Sequence, residues 1–254
     1  MNCFVLITGW FGVSKPFKGF LKVFSETVVF GLISYLFVSI CESSFSFRFM
    51  FDSVDFRNNW FVNSYLMLLL LTPIMEKSLA NIKYDELKKW IILLCIFNIV
   101  FVFLFRNLND NGYNVIQFIF LYYIARFLKL GYERKWCVLL RIYSLPLYIL
   151  AVISLSLGFY FMSINGKLVK SIVWFGYNQP LVLILSIAFF MSFAKLRFCS
   201  NIINRISTGV FGVFVLHTTI HIIPIRNVFA HFIYSQYGYC LLYTSPSPRD
   251  AHES

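Results

Sequence analysis

The sequence predicts an all-α fold: a polytopic transmembrane helix bundle of about seven full spans, preceded by an N-terminal half-span. Three observations carry this. The 254-residue chain is 59% hydrophobic and 20% aromatic but only 13% charged, against about 25% charged for a soluble domain. Its mean hydropathy is +0.74. Its apolar residues fall in more long runs than one soluble core would hold. Backbone groups in lipid have no water to bond, so such runs are helices or closed barrels, and the alternation of barrel strands is absent here.

The elements follow in order. Cys3 to Val13 is apolar but about half the roughly 20 residues a crossing needs. Lysines follow it rather than precede it, the wrong order for a signal peptide. Val23 to Cys41 is the first full span. A polar, aromatic stretch, ESSFSFRFMFDSVDFRNN, leads to Trp60–Met75. Lys77–Lys89 reads as a charged loop and Trp90–Phe105 as the next span. That span is closed by RNLNDNGYN, whose Asn, Asp and Gly favour a turn. Val115–Leu130 follows, then the basic GYERK, then Val138–Met162, long enough to tilt. Gly166–Lys170 is a short polar turn. Trp174–Ala194 spans again with Pro180 near its start, Ile206–Ile223 ends at Pro224, and Asn227–Tyr239 is a weaker trailing segment. No internal repeat is visible.

The net charge of +11 would suggest nucleic acid in a soluble protein. Here the basic residues lie between apolar runs, with no basic stripe interleaved with stacking aromatics, so no nucleic-acid partner is expected. Orientation in a bilayer explains them better. With the SKPFKGFLK loop in the cytoplasm, that side receives Lys15, Lys18, Lys22, Lys77, Lys83, Lys88, Lys89, Arg126, Lys129, Arg134, Lys135, Arg141, Lys195, Arg197 and Arg205. The far side receives only Arg48, Arg57, Arg106, Lys167, Lys170 and Arg226, a bias of fifteen to six. The six cysteines (Cys3, Cys41, Cys95, Cys137, Cys199 and Cys240) are scattered, without C-x-x-C or a nearby His pair. They read as apolar filler, and no metal site is indicated.

Five stretches resemble the acyltransferase family 3 membrane proteins. NCFVLITGWF at the N-terminus resembles that family's second transmembrane helix. NWFVNSYLMLLLLTPIMEK (Asn59–Lys77), GYNVIQFIFLYYIARFLK (Gly112–Lys129), YNQPLVLILSIAFFMSFAKL (Tyr177–Leu196) and INRISTGVFGVFVLHTTIHIIPIR (Ile203–Arg226) resemble later segments. Together, in order, they cover most of Asn2 to Arg226. The likeness points to the glycan O-acetyltransferases of gut and oral anaerobes. Two positions depart from the family pattern: Thr218 stands where an acid usually follows the late His, and Ala125 where a Gly usually precedes the Arg.

The resemblance implies a chain that begins inside the second helix, so that the first helix, with its Arg or Lys and catalytic His, is missing. At the other end Cys240–Asp250, CLLYTSPSPRD, resembles a translated sequencing adapter. The expected organisation is therefore a partial transmembrane domain over residues 1–239 and an adapter-derived, disordered tail over 240–254.

The family's reaction moves an acyl group, usually acetyl, from a CoA thioester to a glycan hydroxyl. Acetyl-CoA is then the donor substrate, with no bound cofactor, and the acceptor is a cell-surface or lipid-linked saccharide. The localisation implied is multi-pass in the bacterial cytoplasmic (inner) membrane. Cations must hold the CoA phosphates, a base must activate the hydroxyl, and donors must meet the oxyanion in a dry place. Lys15, Lys18 and Lys22, at spacings of three and four, are the expected acyl-CoA-binding cations, with Glu26 orienting them or simply pairing with Lys22. His217 is the in-chain base or an interhelical donor. Trp60, Asn63, Tyr65, His221 and Arg226 are the expected acceptor-binding residues, Trp60 as a sugar-stacking platform or an interfacial anchor. Asn98 and Gln117 are expected to hydrogen-bond between helices, worth on the order of 1 kcal/mol each. With the first helix absent, the chain itself is expected to turn over little. Two other classes fit the same features: a transporter or lipid-linked glycan flippase, and a non-catalytic membrane subunit.

Overall fold

The computed structural model describes residues 1–42, 45–53, 59–98, 110–165, 175–196, 200–218, 227–229 and 231–232. Among these every regular element is helical and no strand is present. The helices are α1 (Asn2–Phe11), α2 (Pro16–Glu42), α3 (Phe47–Ser53), α4 (Trp60–Leu79) and α5 (Tyr84–Ile96). After a short 3-10 turn (Asp110–Gly112) come α6 (Val115–Leu130), α7 (Lys135–Ile142), α8 (Ser144–Ile164), α9 (Pro180–Ala194) and α10 (Asn201–Thr218).

Local chemistry sets the boundaries. The side chain of Asn114 caps α6 by accepting from the Gln117 amide at 3.1 Å. Pro180 opens α9 at a position where its missing N–H costs nothing. Gly12, with φ 73°, closes α1 in the left-handed region that glycine enters freely. Asp85 and Glu86 sit in the first turn of α5, where carboxylates favour a helix start. The region expected as a charged loop between Lys77 and Lys89 is therefore mostly helix, and only residues 80–83 connect α4 to α5. Likewise α2 begins at Pro16, so Lys18 and Lys22 lie on a helix. The polar stretch before Trp60 contains α3.

Among the described residues two helices are long and apolar enough to cross a membrane: Pro16–Ile40 and Ser144–Ile164. Only 11% of the apolar window of α8 is buried in the protein. A helix that is apolar all round and mostly uncovered belongs in lipid. The bent pair α6–α7 makes a third crossing if counted as one span. Among the described residues this is fewer than the seven full spans expected: Trp90–Phe105 and Ile206–Ile223 run into residues outside those described, and apolar composition hides where helices break. Val138–Met162 is divided at Tyr143 between α7 and α8. At 15 residues, α9 rises about 22 Å, short of the roughly 30 Å hydrocarbon core. In α4, 20 residues long, Asn63 and Ser64 near one end and Glu76 and Lys77 near the other dilute the apolar run.

The chain forms two compact units. One comprises Met1–Phe20 and Asn63–Cys199, the other Leu21–Val62 and Ser200–Ser254. In the first, α6 packs on α1 and α5, while α9 packs on α1, α7 and α8. Its core includes Val5, Leu6, Leu68, Phe118, Leu121, Tyr122 and Met191. The α1–α6 contact is close because Gly9 faces Ala125; a Cβ on Gly9 would lie 2.8 Å from the Ala125 Cβ. Small residues allow such approach between apolar helices. In the second unit Gly212 of α10 lies against the ring of Phe30. Tyr35 Oη donates to the Ser46 carbonyl at 2.7 Å.

Candidate functional site

Within the first unit the helix ends sort by chemistry. Trp10, near the end of α1, meets Tyr132 and Phe190 edge-on at 5.5 Å each. Tyr84, opening α5, stacks on Phe127 near the end of α6 at 4.8 Å. The C-terminal ends of α1, α6 and α9 and the N-terminal ends of α5 and α7 therefore gather together. This end carries Lys15, Lys77, Lys83, Arg126, Lys129, Arg134, Lys135 and Lys195. The grouping agrees with the alternation derived from loop charges.

At its centre is an ionic cluster that sequence reasoning did not single out. Glu76 of α4 pairs with Arg126 of α6 through one carboxylate oxygen and accepts from the Tyr122 hydroxyl through the other. The two charged side chains are 19% (Arg126) and 28% (Glu76) exposed. Gly12 abuts the pair: a Cβ there would lie 2.8 Å from Arg126 Nη2 and 3.0 Å from Glu76 Oε1. The Arg126 Nε is buried without a partner among the described residues. A part-exposed guanidinium beside a basic helix mouth can take a phosphate oxygen. The sequence signal was available, since an acid and a base within apolar helices are costly and mark pairing or function.

Among the described residues the opposite end is polar and carries few charges. Asn2 Nδ2 donates to the Tyr177 carbonyl at 3.1 Å and to Ser186 Oγ at 3.2 Å. Gln117 Nε2 donates to the same Tyr177 carbonyl at 2.9 Å, and Asn98 donates to Gln117 Oε1. Asn98 and Gln117 thus join α5 to α6 side by side, as expected of interhelical hydrogen-bonders. Asn2 Oδ1 and Asn178 Oδ1 are buried with no donor among the described residues. Tyr177 lies in the connection before α9, and burial pushes its phenol above the usual value.

The residues expected to act are distributed as follows. Lys15 and Lys18 are exposed at the start of α2. Lys22 and Glu26, one turn apart on α2, form an ion pair at 3.8 Å, which supports the pairing alternative for Glu26. Tyr65 is buried: its hydroxyl shares a hydrogen bond with Thr8 at 3.1 Å and its ring meets Phe4 edge-on at 5.0 Å, so it joins α4 to α1. Asn63 is exposed on the opposite face of α4.

In the second unit Trp60 is half-buried, edge-on to Phe61 at 5.9 Å. Asn59 Nδ2 donates to Thr218 Oγ1 at 2.9 Å, and Phe61 packs on Phe214 at 5.0 Å. These contacts bring the start of α4, with Trp60, to the end of α10, which carries the His217 backbone. Thr218 serves as an acceptor for Asn59. The His217 side chain, His221 and Arg226 lie outside the described residues.

No protein-family model, curated protein or solved structure matches the chain.

Proposed function

We propose that the chain is a multi-pass O-acyltransferase of the bacterial cytoplasmic membrane, with the acyltransferase family 3 plan of seven spans and a half-span. It moves an acetyl group from acetyl-CoA to a hydroxyl of a surface or lipid-linked glycan. The observation that carries this reading is the separation of two chemistries to opposite ends of one helical unit. Half-buried Arg126, held by Glu76 among exposed lysines, suits the phosphates of a CoA thioester. At the other end, buried amide oxygens of Asn2 and Asn178 without donors suit hydroxyls. Such an arrangement lets a charged donor approach from the cytoplasm and a sugar from outside. The five ordered stretches resembling the family supply the reaction class.

In this scheme Lys15, Lys18 and Arg126 hold the donor phosphates. Within the second unit, taken by itself, His217 is the candidate base at the end of α10 and Trp60 a candidate apolar face for a sugar ring. The test is transfer of radiolabelled acetyl from acetyl-CoA to lipid-extractable or surface glycan, in membranes expressing the chain together with the genomic sequence flanking its reading frame. Label in glycan, lost in Arg126→Gln, is the expected result. Membranes containing the folded protein but no labelled glycan would overturn the assignment.

A further inference from the structure

We propose that the corner between α6 and α7 is a docking surface for anionic phospholipid headgroups, and that α7 lies along the membrane surface rather than continuing a span. The proposal rests on the membrane reading of the fold and is independent of the transfer reaction.

The corner is sharp and built from side chains. α7 leaves α6 at 107°. A helix turned so far from a crossing direction runs in the plane of the bilayer. Gly131 permits the turn: a Cβ there would lie 2.6 Å from the Trp136 ring. Tyr84, Phe127 and Trp136 form a continuous pile at centroid spacings of 4.8 and 5.2 Å, tilted by only 19° and 22°. On α7, Trp136, Leu139 and Ile142 recur at a spacing of three and are 36%, 54% and 60% exposed. An exposed apolar stripe flanked by cations is the pattern of an interfacial helix.

The cations are arranged for an external anion. Arg134 Cζ sits 3.5 Å from the Tyr84 ring centroid, and Arg141 Cζ sits 3.8 Å from that of Tyr132. Arg141 also donates to the Tyr132 carbonyl at 3.2 Å. Lys129 and Lys135 are exposed beside them, and Glu133 is the acid of the same turn. Among the described residues none of these four cations is paired with a carboxylate. The exposed Arg134 guanidinium, pinned against the Tyr84 face, is pre-oriented for phosphate oxygens, while Arg141 is held in place by its bond to the Tyr132 carbonyl. The charge of the corner is thus complementary to anionic lipid, and its apolar stripe fits the chain region directly below the headgroups.

The test uses the full chain reconstituted in phosphatidylcholine vesicles and compares spin-labelled phosphatidylglycerol with spin-labelled phosphatidylcholine in the motionally restricted lipid shell. Phosphatidylglycerol is expected to be preferred. Lys135→Gln, an exposed change that disturbs no packing, should reduce that preference about fivefold, and adding Arg134→Gln should reduce it further. Lys88→Gln with Lys89→Gln on α5 should leave it unchanged, as should millimolar inorganic phosphate. Equal association of the two lipids, an equal loss from the α5 changes, no loss from Lys135→Gln, or abolition by free phosphate would each overturn the proposal.

Discussion

Glu76 and Arg126 form an ion pair between α4 and α6, with the Tyr122 hydroxyl donating to the second carboxylate oxygen. The pair sits where the ends of several helices converge and where Gly12 leaves no room for a side chain. Removing one partner strands the other charge in a half-covered, apolar setting. Glu76→Gln or Arg126→Met is therefore expected to cost about 1–3 kcal/mol, reduced from the fully buried case by solvent access. The double variant should cost less than the sum of the two. Thermal unfolding in detergent, read as a double-mutant cycle, measures this; additive effects would show that the two residues are not coupled.

Gly9 and Gly158 offer a matched comparison. A Cβ on Gly9 meets Ala125 at 2.8 Å, whereas one on Gly158 meets nothing within 4 Å. Gly9→Ala should destabilise by about 1–3 kcal/mol through overpacking of α1 on α6. Gly158→Ala should be neutral or stabilise α8 by up to about 1 kcal/mol. Unfolding temperatures of the two variants should move in opposite directions, or only the first should move.

Gln117 is fully buried and bridges Asn98 to the Tyr177 carbonyl. Gln117→Leu leaves the Asn98 amide without that acceptor and should cost about 1–2 kcal/mol. Hydrogen exchange of the α6 amides should rise near the start of the helix. Unchanged protection there would mean that the amide network does not tie the helix ends.

The phenol of Tyr177 is raised by burial. Its proton is held more tightly folded than unfolded, so its contribution is complete below the ordinary value of 10.0 and is lost as pH climbs above it. The alkaline loss of stability should therefore be smaller in Tyr177→Phe than in the parent. Thermal melts at about pH 8 and about pH 11 compare them; equal alkaline losses would contradict the burial of this phenol.

Helix content and the gathering of cations were legible in the sequence, because both follow from apolar runs and from charge placed between them. Val115–Leu130 matches α6 at both ends, since Asn114 caps it and Gly131 follows it. Span number was less legible. Whether Tyr143 breaks an apolar run into α7 and α8 depends on packing at the α6–α7 corner, which hydropathy does not encode. The Lys22–Glu26 pair was readable from its four-residue spacing. The Glu76 and Arg126 charges stand out within apolar runs, but their pairing was not readable, because the partners are 50 positions apart and meet only through tertiary packing. Tyr65 and Asn63 were both read as acceptor-binding residues, and helix geometry separates them, turning Tyr65 toward Thr8 and Asn63 away.

The proposed division of the first unit into a phosphate-binding end and a hydroxyl-binding end can be tested with a photoreactive acetyl-CoA analogue on the full chain in native membranes. Crosslinks are expected at the basic end, in Gly12–Lys18 or around Glu76 and Arg126, competed by acetyl-CoA and weakened in Arg126→Gln. Competed crosslinks at Asn2 or Tyr177 instead, or none at the basic end of the folded protein, would contradict it.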